Sequence, residues 1–266
     1  MSERSDYSPG EFCWVDVALP STEAGAEFYS ELMGWDWASS DDPNAGGYGL
    51  FTHKGKPVAG LGPLMNEQQP PAWSSYVSVA DAEQTSGRIK NAGGTVLMDT
   101  FDVLEAGRMA VCHDPQGAFF CIWQAKEMHG AQLVNEVGTW TWNQLATRDL
   151  EGAKKFYGDV FGWTLEAAAE APPDSPYFMW QVDGQKWEEG LAGAMDMAGA
   201  FPDEIPPHWM VYLSVEDVDG AVKTTTEGGG QLTVPVTEIP VGKLAAIIDP
   251  QGASVGLIEP NYPEPR

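Results

Sequence analysis

The sequence predicts an α+β protein of four βαβββ units, arranged as two tandem domains. Three internal repeats carry this expectation. The segment FCWVDVALPSTEAGAEFYSELMGW from Phe12 is echoed by TWNQLATRDLEGAKKFYGDVFGW from Thr141, so that Trp14 meets Trp142, Glu23 meets Glu151, Phe28-Tyr29 meets Phe156-Tyr157 and Gly34-Trp35 meets Gly162-Trp163. SSYVSVADAEQ, ahead of Gly93-Gly94, is echoed by MVYLSVEDVDG, ahead of Gly228-Gly229-Gly230. The turn Asp114-Pro115-Gln116-Gly117-Ala118 returns as Asp249-Pro250-Gln251-Gly252-Ala253. Three matches in the same order at nearly constant spacing are the mark of a duplication. The two domains are expected at 11–125 and 138–260, joined through KEMHGAQLVNEV.

Each half divides again. Val15, Val17 and Leu19 alternate with Trp14, Asp16 and Ala18, the period of a strand with two different faces. A helix follows, with Ser21 as N-cap, Glu23 in its first turn, Ala24, Phe28 and Leu32 on one stripe, and Gly34 as the stop. Asp149 and Gly162 bound its counterpart. β-like runs are expected near Tyr48–Thr52 and Val58–Leu64, and NEQQPPA separates the units. The second unit opens with a strand near Trp73–Val79 and a helix capped by Asp81, with Gln84 at the capping-box position. β-like segments follow at Thr95–Met98, Arg108–His113 and Ala118–Gln124. The second half does the same from Trp209, with Asp217 as cap. The Asp114 and Asp249 turns read as structural β-turns.

The chain has 266 residues, 43% of them hydrophobic, with 11 Trp, which is ample for a core and too apolar for a disordered chain. Its net charge of −25 is shared between the halves, at −11 for residues 1–130 and −14 for the rest. Spread acidity repels phosphate backbones and anionic bilayers, so neither nucleic acid nor membrane is an expected partner. Cys13, Cys112 and Cys121 are odd in number and match no disulfide framework or zinc knuckle, so reduced thiols and a cytoplasmic location are expected. The first residues lack a signal-like apolar stretch, and no run approaches the ~18 apolar residues of a bilayer span.

Strand–helix units closing on Phe-Tyr and Gly-Trp, with a later Asp-Pro-x-Gly turn, resemble the vicinal oxygen chelate superfamily, whose members include glyoxalase I, extradiol dioxygenases and bleomycin-resistance proteins. The chain looks most like a bacterial group with two such domains in tandem, labelled glyoxalase-like or hydroxylase. The resemblance implies a curved sheet around a cavity in each half and, in many members, a divalent metal on His, Gln or Glu side chains at set strand positions. Those positions hold Trp14 and Trp142, Ser74 and Met210, and Cys121 and Gly256 in this sequence. The fourth has no Asp, Glu or His within 57–66, and only Asp196 in the second half. A divalent ion needs several converging N, O or S ligands, so no cofactor is expected, with a rearranged divalent-metal site at Asp16, Cys121 or His113 as the alternative.

Residues i and i+2 share a strand face, which sets the remaining cavity side chains. The expected binding set is Trp14, Asp16, Ser74, Tyr76, Cys121 and Trp123 in the first half, and Trp142, Gln144, Met210 and Tyr212, with Gly256 and Ile258, in the second. The first half is expected to be the functional one because more polar groups converge there. Asn143 falls on the face expected to be apolar. Asp16 is either a general base or an acid held by a nearby tyrosine or backbone N–H. Cys121 is expected to be an inert buried thiol. His208 stands at the start of a cavity strand, and the loops 39–47 and 166–176 are candidate lids.

Three functions follow from these expectations. The first is a metal-free protein of the bleomycin-resistance type that binds a partly aromatic or cationic organic ligand. The second is a glyoxalase-like lyase, dioxygenase or hydroxylase using an unusual metal site or acid–base chemistry at Asp16. The third is an interaction protein with filled cavities. A monomer that imitates a dimer, or a homodimer, is expected.

Overall fold

The computed structural model describes residues 2–66, 68–167, 177–182, 191–198 and 201–261. The first half runs β1 (Phe12–Leu19), α1 (Thr22–Met33), β2 (Asp36–Ser39), β3 (Gly49–His53), β4 (Lys56–Pro63), β5 (Ala72–Ser78), α2 (Ala82–Asn91), β6 (Thr95–Val103), β7 (Gly107–His113) and β8 (Phe119–Ala125). The second runs β9 (Trp140–Thr147), α3 (Leu150–Phe161), β10 (Thr164–Ala167), β11 (Tyr177–Gln181), β12 (Ala192–Asp196), β13 (His208–Ser214), α4 (Val218–Glu227), β14 (Gln231–Ile239), β15 (Gly242–Ile248) and β16 (Ser254–Pro260). This is the βαβββ unit four times. The sequence reading assigns no residues to the short edge strands β2 and β10, nor to β11 and β12 of the second half. The two edge strands carry no apolar alternation of their own and are held by pairing to β3 and β11.

Each half forms one eight-stranded sheet, in the orders β2-β3-β4-β1-β5-β8-β7-β6 and β10-β11-β12-β9-β13-β16-β15-β14. The first strand of each unit pairs with the last in parallel, and the two first strands pair antiparallel at the centre. The helices start and stop where the sequence places them. The Ser21 hydroxyl accepts from the Ala24 N–H, and the carboxylates of Asp81, Asp149 and Asp217 accept from Gln84, Gly152 and Asp219. Gly34 and Gly162 close α1 and α3 in the left-handed conformation, at φ 67° and 76°, where a side chain would be strained. No described helix is long and apolar enough to cross a membrane. The three cysteines are free and buried.

The core lies between the two sheets, with α1 against α4 and α2 against α3. The repeated motifs of the sequence meet here. Tyr29, from Phe-Tyr of the first half, donates to Asp249 Oδ2 of the second half's Asp-Pro-Gln-Gly turn at 2.9 Å, and accepts from Trp73 Nε1 at 2.8 Å. The counterpart Tyr157 donates to Asp114 Oδ2 at 3.1 Å and accepts from Trp209 Nε1 at 2.8 Å. The other oxygen of each aspartate receives two backbone N–H groups of its own turn. Trp35 Nε1 donates to Gly138 O and Trp163 Nε1 to Gly10 O, so each Gly-Trp motif holds the lead-in to the opposite half's first strand. The turns are therefore more than local structure, because each carries half of a buried contact between the domains.

Asn143 is explained by the same interface. It lies on the helix-facing side of β9, 1% exposed, and its Oδ1 accepts from Ser75 Oγ of β5 at 2.9 Å. A buried amide is tolerated when it is paired.

Tyr29→Phe and Tyr157→Phe each leave an indole N–H and a carboxylate oxygen without a partner in a buried site. Each is expected to lower the urea-unfolding free energy by about 1–3 kcal/mol. A loss near zero for both would show that the paired hydroxyls do not hold the halves together.

Candidate functional site

Every strand of these sheets shows one face to the helices and one face away from them. Tyr29 packs edge-on against Phe51 and Trp73, and Tyr157 against Trp180 and Trp209, which fixes the helix-facing side chains. Val15, Val17, Val77, Phe120 and Ile122 belong to that side and are almost fully buried. Their neighbours along each strand define the opposite face, and cross-strand register sorts it into rows.

On the first sheet, Trp14, Tyr76 and Cys121 form one row, Leu50, Gly60, Asp16 and Ser74 the next, and Ser78 and Trp123 a third. The six side chains predicted for the first half thus share one face. All six are closed off, at 1–8% exposure. Asp16 Oδ2 accepts from Tyr76 Oη at 2.7 Å and from Tyr48 Oη at 3.0 Å, and Tyr48 Oη accepts from Trp14 Nε1 at 3.0 Å. Burial raises the Asp16 pKa above the usual carboxylate range, against the opposing pull of the Tyr76, Tyr48 and Ser74 hydroxyls. No cation faces it. Burial also lifts the Tyr48, Tyr76 and Cys121 pKa values well above their ordinary ranges, and the nearby Asp16 charge adds to each shift. Cys121 is accordingly a protonated thiol. Trp123 Nε1 donates to Met128 O at 2.8 Å, and its ring stands edge-on to Tyr76.

Tyr48 was not among the predicted residues. A Cβ at Gly60 would lie 1.8 Å from the Tyr48 hydroxyl, so the glycine is what lets this ring lie across the sheet. The signal was available as a repeat, because Tyr177 and Gly193 make the same arrangement in the second half. There Trp142 Nε1 donates to Tyr177 Oη at 3.0 Å, and a Cβ at Gly193 would lie 2.3 Å from that hydroxyl.

The second sheet differs in exposure and chemistry. Met179, Gly193, Gln144 and Met210 form one row, Tyr177, Met195, Ala146 and His208 another, and Tyr212 stands between Trp142 and Gly256. Trp142, Gln144, Met210, Tyr212 and Ile258 are all half-buried, as are Met179, Met195 and Gln181, which sequence reasoning missed. Those three stand on strands that were not assigned from the sequence. Gln144 replaces Asp16, so this face lacks the carboxylate. Burial pushes the Tyr177 and Tyr212 pKa values up to about 12. His208 turns its Nδ1 to the Pro206 carbonyl at 2.8 Å. The expectation that the first half offers the more receptive cavity is thus reversed in exposure. Its polar groups are spent on one another, whereas the side chains of the second face are half-buried. Of the two candidate lids, 39–47 contributes a short 3₁₀ turn at Pro43–Ala45, and most of 166–176 lies outside the described residues.

Comparison with known proteins fits this geometry. Residues 134–257 match the family model "Glyoxalase/Bleomycin resistance protein/Dioxygenase superfamily", and residues 14–123 match "Glyoxalase-like domain". The chain belongs to the glyoxalase/bleomycin resistance/dioxygenase superfamily. It is 35% identical to the "Putative glyoxylase CFP32" of Mycobacterium tuberculosis, with 98% of each chain covered. It is 33% identical to the "Anthracycline biosynthesis protein DnrV" of Streptomyces peucetius, with 95% of this chain and 94% of that one covered. Among solved structures it shares its fold with the 2,3-dioxygenase LapB of Pseudomonas sp. KL28, at TM-score 0.63 and 15% identity over 97% of this chain and 96% of that one. A Mn(II)-bound glyoxalase from Novosphingobium aromaticivorans gives TM-score 0.62 at 13% identity, over 94% of this chain and 82% of that one.

The metal that many superfamily members carry does not fit the side chains present. The positions carried over from the resemblance hold Trp14, Ser74 and Cys121 in one half and Trp142, Met210 and Gly256 in the other. Tyr48 fills the space over Gly60. Asp196 stands on the other side of β12 from Gly193, where its Oδ1 accepts from the Ala198 N–H at 2.8 Å. His113 packs edge-on to Phe119. Among the described residues, no three His, Cys, Asp or Glu side chains cluster as metal ligands.

The raised Asp16 pKa has a consequence for stability. The folded state binds the Asp16 proton more tightly than the unfolded chain does, so this group favours folding at low pH. That contribution is lost as pH rises through the folded-state pKa. Asp16→Asn removes the titration, so the stability of the variant relative to wild type is expected to rise between pH 4 and pH 8 in urea unfolding. A difference independent of pH would mean that Asp16 is charged throughout.

Proposed function

We propose that this chain is a metal-free small-molecule-binding member of the superfamily, and that it takes a partly aromatic organic ligand on the helix-free face of the second sheet. One observation carries the proposal. At the strand positions that the resemblance assigns to metal donors, the second half presents Trp142, Met210 and Gly256, and half-buried Tyr212, Gln144 and Ile258 stand beside them on the same face. Such a wall offers dispersion and ring contacts to a flat molecule, and thioethers adapt to irregular outlines. The relatives named for anthracycline biosynthesis support an aromatic ligand.

A second reading keeps one specific observation in its favour. Asp16 is a buried carboxyl with a raised pKa between two tyrosine hydroxyls, the arrangement a general acid or base requires. A ligand would reach it only if the Tyr48 ring moved off Gly60.

Fluorescence titration with the neutral probe N-phenyl-1-naphthylamine separates the two. Met210→Lys puts an unpaired charge into the second face and is expected to weaken binding at least about tenfold, equivalent to ~1.4 kcal/mol. Asp16→Asn is expected to leave binding unchanged. The opposite pattern would place the ligand at Asp16. Stoichiometric transition metal in the purified protein, by elemental analysis, would contradict the metal-free proposal.

A further inference from the structure

Resting on the proposed second-sheet site, we infer that the ligand is an uncharged aromatic ketone or quinone whose carbonyl oxygen accepts a hydrogen bond from the Gln181 side chain. Gln181 ends β11. Its neighbour Trp180 points to the helices, fully buried against Tyr157 at 5.3 Å between ring centroids, so Gln181 shares the helix-free face with Met179 and Tyr177. Its Nε2 is buried and has no hydrogen-bond partner among the described residues. A buried amide donor left unpaired is destabilising, and an acceptor brought by a ligand relieves that cost. An N–H donor selects an oxygen acceptor. It gains nothing from a hydrocarbon or an ammonium group.

The register sets the distance to the aromatic wall. Trp180 pairs with Ala192, and Gly193 with Gln144, which brings Gln181 level with Trp142 two strands away. At ~4.8 Å per strand this is roughly 10 Å. A molecule of two or three fused rings spans that gap with a carbonyl at the Gln181 end. Met179 and Met210 flank its path on the neighbouring row.

Negative charge is disfavoured by the same face. On β9, β11, β12, β13 and β16, the helix-free side chains among the described residues include no Asp, Glu, Lys or Arg, and the edge strand β10 adds a carboxylate, Glu166, exposed beside Met179. An anionic ligand would be desolvated there without a counterion. In the first sheet Thr52, with a shorter hydroxyl in place of the amide, holds the place of Gln181.

Calorimetric titration of the full chain with 9-fluorenone and with fluorene, its carbonyl-free analogue, tests this. Wild type is expected to bind 9-fluorenone about tenfold more tightly, the effect of one satisfied buried donor. Gln181→Leu, and independently Gln181→Met, is expected to erase the preference while keeping or improving fluorene binding. Equal affinities in wild type, or a preference that survives in both variants, would overturn the ligand class and leave the second-sheet site standing so long as Met210→Lys weakens fluorene binding at least about tenfold. If wild type binds neither compound, the site itself is wrong and the inference falls with it.

Discussion

The fold depends on one interaction made twice, a tyrosine from the first helix of each half reaching the aspartate of the other half's late turn. Neither domain completes its own polar core. Tyr29 needs Asp249 and Tyr157 needs Asp114, and a tryptophan from the opening strand of each second unit donates to each hydroxyl. The two sheets are thereby fixed with their helix-bearing faces inward. Both helix-free faces lie on the side of each sheet away from the helices, the first closed by its own buried side chains.

Duplication then allows divergence. Both halves keep Trp and Tyr in a hydrogen bond across a strand glycine, the shared skeleton of Trp14–Tyr48–Gly60 and Trp142–Tyr177–Gly193. Around it the chemistry separates. In the first half Asp16 draws Tyr48, Tyr76 and Ser74 inward, and the face closes into a satisfied network. In the second half Gln144 and Met210 stand in place of Asp16 and Ser74, and Gly256 in place of Cys121. Tyr212 moves into the space over that glycine, since a Cβ there would lie 2.3 Å from its ring. The carboxylate that joins Tyr48 to Tyr76 has no counterpart at Gln144, and the side chains of this face are half-buried.

Much of the fold was legible in the sequence because duplication prints each motif twice. The four helices could be bounded by their caps and glycine stops, and the central strands by alternation. The edge strands β2 and β10 could not, because their order comes from a neighbour's hydrogen bonds and not from their own pattern. The candidate site was half legible. Alternation placed Trp14, Asp16, Ser74, Tyr76, Cys121 and Trp123 on one face, but alternation is blind to depth. It could not tell that Tyr48 would lie across Gly60 and close that face, nor that Met179, Met195 and Gln181 would line the other. The Asp-Pro-Gln-Gly turns looked local for a related reason, since the partner of each aspartate is more than 40 residues away, at Tyr157 for Asp114 and at Tyr29 for Asp249.

The central claim is that the second sheet is receptive and the first is closed. A crystal structure of the protein soaked with 9-fluorenone tests it most directly. The account predicts density for the ligand against Met210 and Tyr212, with its oxygen within hydrogen-bonding distance of Gln181 Nε2, and an undisturbed Asp16–Tyr48–Tyr76 network. Density at Asp16 with Tyr48 displaced from Gly60, or a metal ion bound on either helix-free face, would contradict it.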